Sequence, residues 1–189
     1  GFWCLFTTAF QEAFNDLSFR TLVTFFVMGL GLQQAARNSM VSITLALFAL
    51  PFILFSMTGG YLADRFSKRA VTIGTRLFGI ALMGVVILAF ATSTRALLLT
   101  AVFLIGMQGA LFGPAKYGLL PELLPEKSLS WGNGILELGT FVAIIMGTVG
   151  GTLLARVFRG SPEGAGMVLL GVAALGLLAS LGISRVPAA

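Results

Sequence analysis

The sequence predicts an all-helical membrane protein with six spanning helices, and three observations carry that prediction. The 189 residues are 57% hydrophobic and only 10% charged, whereas a soluble domain carries roughly a quarter charged residues. Mean hydropathy is +0.99. Apolar stretches recur along the whole chain, each meeting the roughly 20-residue need of a helix that crosses hydrocarbon, where a helix satisfies its own backbone groups.

The first span is expected over residues 2–32. It is longer than a signal-peptide core and polar in its middle, so it reads as a working helix rather than a cleaved leader. Phe2, Trp3 and Phe6 are placed to anchor its start at the membrane surface. The second span, 40–63, contains Pro51, which deletes a backbone donor and is expected to kink it. The third, 70–91, follows the basic stretch DRFSKR and has Arg76 just inside. The fourth, 96–113, leads into a connection that Pro121 and Pro125 mark as a loop. Trp131 opens the fifth, 131–155, as an interface anchor, and the sixth covers 166–184. Gly109 and Gly113, like Gly147 and Gly151, are four apart on one helical face, where two backbones can approach closely.

An even number of spans puts both termini on one side. Arg65, Lys68, Arg69, Lys116, Lys127 and Arg185, with Arg76 nearby, fall on that side, and Arg37, Arg95, Arg156 and Arg159 on the other. The positive-inside rule then makes the termini cytoplasmic. The net charge of +5 is scattered over helix ends without an aromatic-basic patch, so no nucleic-acid partner is expected. The single cysteine, Cys4, excludes an internal disulfide, and the absence of histidine removes His ligands, His bases and Ser-His triads. No cofactor, metal or catalytic constellation is expected, and the chain reads as no enzyme.

The stretch QEAFNDLSFR puts charge inside the first span. At helical spacing Glu12, Asp16 and Arg20 share one stripe, with Gln11 and Asn15 beside it. A charge at the bilayer centre costs roughly 2.5–3.5 kcal/mol on insertion scales, so this face should turn to a bundle interior or wet cavity. Asp16 and Arg20 form an acid-before-base pair four apart and are expected to neutralise each other. A structural ion pair and a functional site both fit this pattern. Asn133 and Glu137 on the fifth span, and Gln108 and Lys116 at the fourth, could line the same cavity; for Lys116, snorkelling to the interface is the competing reading.

GGYLADRFSKR, Gly59 to Arg69, resembles the signature G-x-x-x-D-R-x-G-R-[RK] of the major facilitator superfamily: Gly60, Asp64, Arg65, Lys68 and Arg69 match, and Ser67 stands in place of the second glycine. AFND at Ala13 to Asp16, FGPAKYGLLPELLPEK at Phe112 to Lys127 and GNGILELGTFVAIIMGTVGG at Gly132 to Gly151 resemble the bacterial lysophospholipid transporters of that superfamily, with Leu17 where a polar residue is common. The resemblance implies the N-terminal six-helix half of such a transporter, whose C-terminal half is absent from this chain. It implies a flippase that moves lysophosphatidylethanolamine-type lipids across the bacterial inner membrane for re-acylation, with Asp64 and its basic neighbours in a cytoplasmic latch. Members also occur fused to an acyltransferase and an acyl-ACP synthetase, which makes those enzymes possible partners.

For such a substrate, Arg20 and Lys116 are expected to attract the phosphate, and Asp16 and Glu137 the amine. Asn15 and Asn133 would supply carboxamides, and Glu12 a gate or proton site. Phe14, Phe19 and Phe141 are expected beside the tail path. An exporter of drugs or other small amphiphiles, and a membrane anchor for a fused lipid-acylating enzyme, remain as alternatives.

Overall fold

The computed structural model describes residues 1–29, 31 and 33–184; Leu32 and Arg185, both used above, lie outside them. Among the described residues there are six long helices: α1 (Phe2–Gly29), α2 (Gln34–Arg65), α3 (Lys68–Ala91), α4 (Arg95–Gly118), α6 (Leu129–Val157) and α7 (Pro162–Leu181). The connection expected as a loop around Pro121 and Pro125 is instead largely helical, with α5 (Leu120–Leu123) and a 3-10 turn (Glu126–Ser128). Lys116 and Tyr117 belong to the last turn of α4 rather than to that connection. Five segments, all but α1, are long and apolar enough to cross a membrane. α1 has 28 residues, about 42 Å at 1.5 Å per residue, but carries the polar stripe.

Local chemistry sets several boundaries. Ser67, at the position of the signature's second glycine, caps α3 by accepting a hydrogen bond from the Ala70 N–H at 3.3 Å. Pro162 stands in the first turn of α7, where its missing donor costs nothing. α2 continues through Pro51, which is buried.

The helices pack in the order α6, α1, α7, α3, α4, α2. Exchanging α1 with α4, α2 with α6 and α3 with α7 maps these principal interfaces onto one another, so two three-helix units share one packing pattern. The main core joins Phe19, Val23, Val86, Phe90, Val102, Ile105 and Leu169 from four helices. Phe19 is thus a core residue, fully buried and edge-on to Phe90 at 6.5 Å, and not a wall of a substrate path. At the other end, Phe2, Trp3, Phe6 and Trp131 form an aromatic cluster with centroid distances of 5.3–6.3 Å.

Two interfaces depend on bare backbone. At α1–α6, Gly147 and Gly151 lie against the carbonyls of Phe14 and Ser18, and the Ser18 hydroxyl donates to the Gly147 carbonyl at 3.0 Å. At α2–α4, Gly59 faces the Ala110 carbonyl and Pro114, while Gly106 faces the Phe48 carbonyl and Pro51. Pro114 has no N–H to offer Ala110 four residues back, so the glycine surface covers a carbonyl that its own helix leaves free. The close-approach glycine of α4 is therefore Gly106; a side chain at Gly109 would meet the Phe52 ring and the Asp16 carboxyl rather than backbone, and one at Gly113 nothing. Similarly, Gly59 rather than the signature's Gly60 makes the contact in α2.

Gly151→Val should lower stability by about 1–3 kcal/mol through overpacking, whereas Gly60→Ala should stay within about 0.5 kcal/mol of the parent. Thermal unfolding of the detergent-solubilised protein distinguishes the two, and equal melting temperatures would contradict the α1–α6 contact.

Candidate functional site

α1 lies between α6 and α7 in the packing and presents different sides to its neighbours. Gln11 and Asn15 turn towards α7 and α3: Gln11 fills the notch at Gly176, and Asn15 Nδ2 donates to Met83 Sδ at 3.6 Å. Glu12 faces α3 and α4. Its Oε1 accepts from Arg76 Nη2 at 2.5 Å, and the Arg76 guanidinium lies 4.4 Å from the centre of the Phe112 ring. Arg76 and Glu12 are only 3% and 8% exposed, so this is a fully enclosed ion pair. Cation–π contact and pairing together offset the desolvation of the guanidinium.

The expected pair of Asp16 with Arg20 is not formed. Arg20 stacks on Phe48, 5.2 Å from the ring centre, and Asp16 has no ion-pair partner among the described residues. Nearest-neighbour spacing favoured a local pair; the fold turns Arg20 across to α2 instead. Arg76, counted above with the loop charges, is the cation that sequence reasoning missed. Its signal was an arginine two turns inside an apolar helix, which by intramembrane rules belongs in a site.

A cleft of about 300 Å³ opens between α1, α2, α4 and α6. Glu12, Asp16, Lys116, Tyr117 and Thr140 give it a polar side, and Phe48, Phe52 and Phe112 an aromatic one. Lys116 does not snorkel outwards: it is 8% exposed, its Nζ lies 3.4 Å from Thr140 Oγ1, and it sits 4.7 Å from the Tyr117 ring centre. Glu137 lies beside this group and accepts a hydrogen bond from the Tyr117 hydroxyl. Asn133 is exposed near the start of α6, and Asn15 faces the bundle interior, so neither reaches the cleft. Phe141 is exposed on α6, and Phe14 packs against Gly150; the aromatic wall comes from α2 and α4 instead.

The signature loop divides its charges. Lys68 Nζ pairs with Glu122 Oε1 of α5 at 2.6 Å. Arg69 donates from Nε to the Ile183 carbonyl at 2.7 Å and from Nη2 to the Leu181 carbonyl at 2.9 Å, satisfying the end of α7. Asp64 and Arg65 remain exposed; Arg65 donates to the Tyr61 hydroxyl within its own helix. Arg76→Ala, which strands Glu12, should cost about 3–5 kcal/mol, and Glu12→Gln with Arg76→Leu should recover most of it. Chemical unfolding of the purified protein reads both, and a double variant no better than the single would contradict an enclosed pair.

The comparisons with known proteins agree with this architecture. Relatives named lysophospholipid transporter LplT from Cronobacter sakazakii, Serratia proteamaculans and Yersinia pestis are 29%, 30% and 30% identical to 96%, 95% and 95% of this chain. The chain spans only 42%, 42% and 41% of their lengths. A crystal structure described as an auto-inhibited POT family peptide transporter matches 100% of this chain and 38% of its own, with a TM-score of 0.74 at 22% identity, a likeness of fold. The Major Facilitator Superfamily profile matches residues 8–188, and the chain belongs to that superfamily.

Proposed function

We propose that this chain is the N-terminal six-helix half of a lysophospholipid transporter, with α1 as the sixth span, and that the α1–α2–α4–α6 cleft is its half of the substrate site. The observation that carries the reading is the cleft's two-sided chemistry. Asp16 and Lys116 lie with three phenylalanine rings, Phe48, Phe52 and Phe112, in one opening. A small polar solute has no use for the aromatic side, and a hydrocarbon has none for the charges; a single-chain amphiphile matches both.

Lys116, with Arg20 at the Phe48 edge, attracts the headgroup phosphate; Asp16 and Glu137 attract the amine of a lysophosphatidylethanolamine-type lipid. Glu12, held by Arg76, forms the wall behind Asp16. The names of the relatives support the substrate class. A second six-helix half would cover the polar cleft and the apolar faces of α2 and α6, where Ile53, Met57 and Ile145 are exposed; the share of the relatives' length outside this match supports that arrangement. Asp64 and Arg65, exposed at the end of α2, would then latch the two halves on the cytoplasmic side while they rock about the site. Both termini of this segment are placed in the cytoplasm and the protein in the bacterial inner membrane, where a fused or associated acyltransferase and acyl-ACP synthetase would consume the delivered lipid.

The test is uptake of labelled lysophosphatidylethanolamine in cells lacking their own transporter, with the full-length protein and its Asp16→Asn, Lys116→Gln and Asp64→Asn variants. Asp16→Asn and Lys116→Gln should reduce kcat/KM at least tenfold at normal expression, and Asp64→Asn should lower kcat with little change in KM. Uptake by Asp16→Asn equal to the parent removes Asp16 from the site, and uptake of a phosphate-free amphiphile in place of the lysolipid favours the exporter reading.

A further inference from the structure

Behind the cleft lies a second, much smaller compartment of about 10 Å³, bounded by Gln11, Glu12, Asn15, Asp16, Arg76 and Gln108. Its size is that of one water molecule. Glu12 and Asp16 line both spaces, so their side chains form the partition between them. Three of the side chains that line it carry a polar atom with no hydrogen-bond partner among the described residues: Gln11 Oε1, Asn15 Oδ1 and Arg76 Nε. Their residues are 8%, 5% and 3% exposed, so bulk solvent does not satisfy them. Such buried groups ordinarily have a partner.

The set decides what that partner is. It consists of two acceptors and one cationic donor. A metal cation would satisfy the acceptors but sit against the guanidinium, and an anion would meet Glu12 and Asp16. Water alone accepts from the donor while donating to both acceptors. Gly79 also lines the compartment, and a methyl group there would collide with Gln108 Oε1 at 2.8 Å, so this glycine leaves room for the Gln108 amide in the compartment wall.

We propose that this compartment binds a single water molecule, which accepts from Arg76 Nε and donates to Gln11 Oε1 and Asn15 Oδ1, and so holds the Arg76 guanidinium on Glu12. The consequence falls on the cleft, and it rests on the reading that Asp16 serves the substrate. Arg76 lies between two carboxylates and pairs with one. With its Nε satisfied from the far side, the fork stays on Glu12, and the Asp16 carboxyl stays available to an incoming ammonium group. Without the water, Arg76 gains by turning to Asp16 and closes the site from within. Gln11, Asn15 and Arg76 are therefore positioning residues that never touch the substrate.

Gln11→Met in the full-length transporter tests this, because it replaces the orphaned amide by an apolar group of similar shape. In a dry compartment that change removes an unsatisfied buried atom and should raise the melting temperature in detergent. In a hydrated one it removes a ligand of the water and should lower it, together with a rise in KM for lysophosphatidylethanolamine of about tenfold, the order expected for one hydrogen bond to a charged group, and kcat within about twofold. Arg76→Lys, which keeps the charge but lacks Nε, should raise KM in the same way if it folds. A higher melting temperature for Gln11→Met overturns the water site. A lower one with unchanged KM overturns its control of Asp16. The melt needs no substrate, so a lowered melting temperature in a protein that never transports lysolipid upholds the water and sinks only the transport reading.

Discussion

The enclosed contact between Glu12 and Arg76 sets the terms for the rest of the polar interior. Two charges withdrawn from water are tolerated only with close geometry and filled coordination; the fold supplies a 2.5 Å bond and the Phe112 face beneath the guanidinium, and leaves Arg76 Nε to the water proposed above. Because Arg76 is committed to Glu12, Asp16 one turn further along α1 is left without an ion-pair partner among the described residues and stands at the cleft. Lys116 stands across from it, buried against Thr140 and Tyr117. One pair is spent on holding the bundle, and one unpaired acid and one unpaired base face the opening. The aromatic wall of α2 and α4 then makes that opening suited to an amphiphile.

Backbone contact makes this arrangement compatible with motion. α6 meets α1, and α2 meets α4, through glycines lying on opposing carbonyls. These are also the helices that frame the cleft. The signature loop adds stiffness elsewhere: Lys68 braces α3 to α5, and Arg69 braces it to the end of α7. Those two basic residues are internal struts, which leaves Asp64 and Arg65 as the loop charges facing outwards.

The spans were legible because hydropathy is a local property; α3 begins at Lys68 and ends at Ala91, where 70–91 was expected. The resemblance carried in the loop and in PAKYG also pointed to the superfamily. The pairing of charges was not legible. Asp16 and Arg20 advertise a pair at i, i+4, whereas Glu12 and Arg76 are 64 residues apart and meet only after α3 packs beside α1. Which glycine of α2 makes the close approach was not legible either: Gly59 and Gly60 are alike in sequence, and only the Ala110 carbonyl opposite tells them apart. The matching packing of two three-helix units was equally hidden, since it repeats geometry and not residues.

The cleft's occupancy is the central claim, and a lysophosphatidylethanolamine carrying a photoactivatable group on its acyl chain tests it most directly. After illumination of the full-length transporter in membranes, peptide mapping should find the adducts on Phe48 and Phe52 of α2 and around Phe112 of α4, suppressed by excess unlabelled lysolipid. Adducts confined to outward-facing residues such as Leu77, Leu88, Leu175 and Leu178, and insensitive to competition, would contradict it.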